Sequence, residues 1–172
     1  YTALTTDTLG SQSTAVGYQA LFSQNFTTAT NSNNVAVGYN AGSAVTTGTN
    51  NTLLGSGAGD SLTEYSNNTA VGYGSLSANG GNSNTAIGYI ALEDTTGSNC
   101  TAVGQSAGKD VNSGSNNSFL GADSGRTGSP GGAITSASNT IVLGDENVSA
   151  CHIQTDWTVA SDQRDKTDFT AL

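Results

Sequence analysis

Basic residues are scarce in this chain: four Lys and Arg stand against thirteen Asp and Glu, giving a net charge of -9 and a pI near 4.1. Such a surface repels phosphate backbones, so no nucleic acid partner is expected. Long apolar runs are missing as well. The longest covers a handful of residues, far below the ~18 that a bilayer-spanning helix needs, and no membrane insertion is expected. There is one proline, one histidine, one tryptophan and no methionine. The absence of methionine and of a signal-peptide pattern, with Tyr1 already inside a partial repeat, reads as a piece of a longer protein. The two cysteines, Cys100 and Cys151, fall three coils apart in the repeat described below, about 14 Å at ~4.8 Å per coil. That exceeds the ~7 Å Cα limit for a disulfide, and both read as small buried or half-buried thiols.

What the chain does contain is small and polar. Gly, Ser, Thr and Asn make up 88 of its 172 residues, while charged residues reach only 10%, well below the usual ~25%. This composition suits disorder, except that the 34% of hydrophobic residues recur in short clusters at fixed spacing, which a disordered chain has no reason to keep. Aligned on one glycine, the clusters are Thr14-Ala15-Val16-Gly17-Tyr18, Val35-Ala36-Val37-Gly38-Tyr39, Thr52-Leu53-Leu54-Gly55, Thr69-Ala70-Val71-Gly72-Tyr73, Thr85-Ala86-Ile87-Gly88-Tyr89, Thr101-Ala102-Val103-Gly104, Ser118-Phe119-Leu120-Gly121 and Ile141-Val142-Leu143-Gly144. The glycines are 21, 17, 17, 16, 16, 17 and 23 residues apart. A period of 16 to 17 residues is too short for helical repeats or propeller blades and matches one coil of a β-solenoid.

Each unit reads as an Asn-rich turn, a short strand, the glycine, a small-residue stretch and a second turn. The residue before the glycine is always Val, Leu or Ile (Val16, Val37, Leu54, Val71, Ile87, Val103, Leu120, Leu143), and this rank is expected to face the coil interior. The glycine itself needs a positive φ or a backbone approach too close for a Cβ. Four residues later stand Leu21, Gly42, Gly59, Leu76, Leu92, Gly108 and Gly125, so successive coils need not have equal width. Asn pairs such as Asn33-Asn34 and Asn50-Asn51 precede the strands. Six asparagines, Asn25, Asn50, Asn67, Asn99, Asn116 and Asn147, match the glycosylation pattern Asn-x-Ser/Thr, but recurrence in step with the repeat favours stacked amide ladders. One interior aliphatic per coil is little burial for so long a chain, and association between chains is the expected remedy.

The unit Asn-Thr-Ala-Val-Gly-Tyr-x-Ala-Leu resembles the head repeats of trimeric autotransporter adhesins, and still more the collar and shaft repeats of phage and large-virus fibre proteins. The resemblance covers residues 12 to 144. It implies an all-β parallel β-solenoid or β-roll of about eight coils, assembled as a homotrimer, in a viral tail fibre or spike that serves host attachment. Residues 1–144 form this shaft, and any host receptor or glycan is contacted through other parts of the chain. A bacterial trimeric surface adhesin head is the alternative, placing the protein at the cell surface rather than in the virion. Ice binding fits less well: the aligned rank offers single threonines, at 14, 52, 69, 85, 101 and 140, with no Thr-x-Thr pair at that site.

Repetition stops at Gly144, and residues 145–172 form a junction. Its run Ser161-Asp162-Gln163-Arg164-Asp165-Lys166-Thr167-Asp168 resembles the start of the self-cleaving intramolecular chaperone of tail spikes and fibres, the S74 peptidase family. The resemblance implies Ser161 as nucleophile and Lys166 as its base, acting only on the chain itself and only with the missing chaperone domain. An uncharged lysine amine can take the proton of a serine hydroxyl. Spaced by five, the two need a turn or a neighbouring chain to meet. No cofactor and no metal are expected. His152 has no partner at a metal spacing, and Asp60, Glu64, Glu93, Asp94, Asp110 and Asp123 read as solvated turn residues without the nonapeptide of calcium β-rolls.

Overall fold

The computed structural model describes residues 2–150 and 152. Ser161, Lys166 and Cys151 lie outside the described residues. The described chain is a parallel β-solenoid of about seven turns without a helix. Ten short strands occur: β1 (Gly10–Ser11), β2 (Thr14–Val16), β3 (Thr30–Asn31), β4 (Val35–Val37), β5 (Thr52–Leu54), β6 (Thr69–Val71), β7 (Thr85–Ile87), β8 (Thr101–Val103), β9 (Ser118–Leu120) and β10 (Ile141–Leu143). Eight of them form one sheet in the order β10-β9-β8-β7-β6-β5-β4-β2, every pair parallel and in register, so that Thr52 pairs with Thr69 and Leu54 with Val71. β1 and β3 pair separately in the longer first coil.

The corner glycines make this close stacking possible. Gly38 has φ 142° and Gly88 φ 143°. A Cβ on Gly38 would lie 2.4 Å from the carbonyl oxygen of Gly55 in the next coil. Both expected reasons for the glycine therefore apply at once. Beyond the corner the chain keeps hydrogen-bonding from coil to coil without forming strands. The Leu21 amide donates to the Ala41 carbonyl at 3.0 Å, and those of Gly42, Gly59 and Leu76 to Ala58, Ser75 and Ala91 at 2.9 Å each.

The strand faces are the reverse of the expectation. The rank before the glycine points outward: Val16, Val37, Leu54, Ile87, Val103, Leu120 and Leu143 are all exposed, and Val71 is half-buried. Inside lies the middle residue of each strand, Ala36, Leu53, Ala70, Ala86, Ala102, Phe119 and Val142, with Ala15 partly buried at the end coil. Successive strand residues face opposite sides, so a slip of one position exchanges the faces. The interior is narrow, and alanine suffices there because most of its bulk comes from the opposite turn.

That bulk arrives by two routes. Leu21, Leu76 and Leu92, four residues after the corner glycine, are fully buried. Where glycine stands at that position, a residue three further along fills the space: Val45 after Gly42, Leu62 after Gly59 and Val111 after Gly108, each fully buried. Coils carrying leucine have Gln24, Asn79 and Thr95 there instead. Coil widths are thus equalised rather than varied.

The Asn pairs divide their work. The first member adopts the left-handed conformation at the surface, with φ 50° at Asn33, 58° at Asn50 and 63° at Asn67. The second is buried, and its Oδ1 accepts the backbone N–H of its equivalent in the next coil: Asn34 from Asn51 at 2.8 Å, Asn51 from Asn68 at 2.9 Å, Asn68 from Asn84 at 2.9 Å and Asn84 from Cys100 at 2.9 Å. Cys100 takes the buried Asn position in its coil. Burial pushes its thiol pKa up, which keeps the S–H available to the Gly114 carbonyl at 3.4 Å. Asn99 and Asn139 belong to the outer rank.

Candidate functional site

Two surface features rise above the repeat. The first is the outer face of the sheet, where the aliphatic row from Val16 to Leu143 is flanked by the outward threonines Thr14, Thr52, Thr69, Thr85 and Thr101. Because the strands are in register, the row is continuous across eight strands. Monomeric soluble proteins rarely leave so contiguous an apolar surface open.

The second is a row of tyrosines that follows the corner glycines. Tyr18 stacks on Tyr39 with ring centroids 5.3 Å apart and planes 10° from parallel, and Tyr73 stacks on Tyr89 at 5.5 Å and 13°. Between the two pairs the sequence places Ser56 where a tyrosine would continue the row. The neighbouring side chains are missing too, since Gly57 and Gly74 occupy positions that carry Asn40 or Ile90 in adjacent coils. The result is a cleft of about 260 Å³ walled by Tyr39 and Tyr73, with Ser56, Gly57 and Gly74 among its lining residues.

Asp60, Glu93, Ser77 and Asn40 also line this cleft. Asp60 Oδ2 lies 3.6 Å from where a Cβ on Gly57 would stand, an ordinary contact distance that places the carboxylate beside the Gly57 backbone. Burial raises the Asp60 pKa, opposed by hydrogen bonds from the Ser61 hydroxyl and from backbone amides. Glu93 is already paired with Lys109, whereas no ion pair of Asp60 occurs among the described residues. Asn40 Oδ1 is buried and accepts no hydrogen bond, an unfavourable condition for an amide oxygen.

The sequence-stated candidates distribute differently. His152 is exposed. Asp110 and Asp123 both meet Arg126, at 3.5 and 2.7 Å, and such surface pairs contribute little stability. Among the described residues no three His, Cys, Asp or Glu side chains are grouped to hold a metal ion, and no helix is long and apolar enough to cross a membrane. The Asn-x-Ser/Thr asparagines Asn50 and Asn116 belong to the outer amide ladder, where Asn33 Nδ2 donates to Asn50 at 3.2 Å and Asn116 Nδ2 to Asn139 at 2.8 Å. Sequence reasoning passed over the cleft, although Ser56-Gly57 and Gly74 interrupting a tyrosine row were a readable signal. No protein-family model, curated protein or solved structure matches the chain.

Proposed function

We propose that this chain is a structural shaft module of a viral fibre or spike, three copies of which pack through the outer face of the solenoid sheet and hold host-attachment parts away from the particle. The observation that carries this reading is the continuous outward-facing aliphatic row, Val16 to Leu143, exposed in every coil except at the half-buried Val71. A surface ladder with one large aliphatic per coil is of no use to an isolated solenoid, and burying it against copies of itself stabilises the assembly by roughly 25 cal/mol per Å² removed from water. The number three, and the virion as location, follow from the resemblance of the repeats to fibre shafts. Sedimentation equilibrium of the chain at micromolar concentration tests this. A mass of three protomers is expected, and replacing Val37 and Ile87 together by Asp should release monomers that keep the β-solenoid circular dichroism spectrum. A monomeric wild-type chain overturns the reading.

Maturation belongs to the same proposal. In the longer protein Ser161 attacks a peptide carbonyl while Lys166 takes the hydroxyl proton. The proton passes to the departing amine, and water then hydrolyses the acyl-serine ester. Removing a chaperone after assembly leaves the shaft intact and makes its unfolding kinetically slow. Mass spectrometry of the longer chain with Ser161→Ala and Lys166→Ala should show folded, uncut products, and equal processing in all three proteins eliminates the pair.

A further inference from the structure

We propose that the gap in the tyrosine row is a binding site for one pyranose ring of a neutral glycan, held between Tyr39 and Tyr73 with its hydroxyls directed to Asp60, Asn40, Ser56 and Ser77. The gap is one coil wide, the coil in which Ser56 stands where a tyrosine ring would be. Adjacent tyrosines stack at 5.3 and 5.5 Å, so two walls separated by one vacant coil leave space for one ring-sized body stacked on both.

The polar rim selects among such bodies. A phenyl or phenol ring would satisfy the two aromatic walls and leave the floor unpaired. A pyranose presents C–H faces to both tyrosines and a rim of hydroxyls to the carboxylate, amide and serines. Asn40 Oδ1, buried without a donor, gains a partner when the amide turns toward a sugar hydroxyl. A quaternary ammonium group has no proton to give it. Anionic sugars are disfavoured because Asp60 and Glu93 line the cleft and the chain carries a net charge of -9. Gly57 and Gly74 matter because side chains at either position, such as those of Asn40 and Ile90 in neighbouring coils, would stand in the opening.

The site goes beyond the shaft role, and its test is independent of assembly. Methyl glycosides of glucose, galactose, mannose and N-acetylglucosamine are titrated into the protein in the oligomeric state it adopts, with p-cresol as an aromatic control, and the Tyr39 and Tyr73 ring signals are followed by NMR. At least one glycoside should shift both rings, and Tyr39→Ala should weaken it tenfold or more. Ser56→Tyr, which completes the row without touching the core, should abolish binding while the thermal midpoint stays within a few degrees of wild type. The proposal is overturned by the absence of a shift with all four glycosides, by p-cresol binding in their place, or by unchanged glycoside affinity in Ser56→Tyr.

Discussion

Coils with leucine four residues after the corner glycine and coils with glycine there fill the same interior by opposite means. Leu76 and Leu92 sit at φ 52° and 50°, a left-handed conformation that strains a side chain by roughly 1–2 kcal/mol. They accept it because they supply the coil's bulk directly. Gly42 and Gly59 hold the same conformation, φ 60° and 58°, without that strain, and delegate the bulk to Val45 and Leu62. The two solutions interlock between neighbours. A Cβ on Gly108 would meet Leu92 Cδ2 and Phe119 Cδ2 at 2.7 Å each, so the absent side chain in one coil is the space its neighbours use. The lesson is that the repeat conserves interior volume rather than residue identity at any single position.

Breaking the leucine route should have the largest effect. Leu92→Ala keeps the strained backbone and loses a fully buried side chain, so a destabilisation of about 2–5 kcal/mol is expected, read from denaturant unfolding. Converting the coil to the other solution, Leu92→Gly with Thr95→Val, should recover at least half of that loss. If the double variant is no more stable than Leu92→Ala, the two routes are not interchangeable. The reverse exchange is a milder test. Gly59→Leu forces a side chain against Leu53 and Leu62, whose methyls lie 2.7 and 2.9 Å from its Cβ, and overpacking of this kind costs about 1–3 kcal/mol. Adding Leu62→Thr should relieve most of it.

Much of this architecture was legible in the sequence. The period, the corner glycines and the Asn turns recur in step, and each has a backbone reason independent of tertiary context. The orientation of the strands was not. In Thr69-Ala70-Val71 both Ala70 and Val71 are apolar, so three residues offer no alternation, and size wrongly favoured valine as the interior residue. The informative sign was variation: the middle position changes between Ala, Leu, Phe and Val, with the large Leu53 and Phe119 opposite glycine turns, whereas the outer rank stays large in every coil. A rank that is always large has no interior partner to compensate. The tyrosine cleft escapes the period for a related reason: a repeat shows what the coils share, and the site is made of what one coil lacks.

The amide ladder offers a comparison of smaller scale, between Cys100 and the asparagines on either side. The buried Asn84 and Asn117 each donate from Nδ2 to a carbonyl, Gly97 at 2.9 Å and Ala137 at 2.8 Å. At Cys100 the corresponding carbonyl, Gly114, receives only a weak S–H donor at 3.4 Å, and the Asn117 amide that follows faces sulfur rather than oxygen. Cys100→Asn restores both contacts in a space that accommodates asparagine in neighbouring coils. A gain of about 1 kcal/mol is expected, seen as a higher denaturation midpoint. A loss of stability would mean that this coil is narrower than its neighbours.

The smallest effect separates the interior from the cleft. Asp60 has its pKa raised by burial, the reverse of a carboxylate stabilised by a cation. Its protonated form therefore suits the folded state better than the unfolded one. The favourable contribution is complete below the ordinary carboxylate pKa of 3.8 and is lost as pH rises through the higher folded value. Charging Asp60 thus slightly destabilises the free protein at neutral pH. Asp60→Asn should remove this component, flattening the change of thermal midpoint between acid and neutral pH. Wild type and variant should converge at the acid end and separate at pH 7, with the variant the more stable. The same variant keeps the Tyr39 and Tyr73 walls but removes the charged acceptor, so it should weaken glycoside binding at pH 7. A pH profile unchanged by Asp60→Asn would assign the titration to other carboxylates and reduce the cleft floor to an ordinary solvated turn.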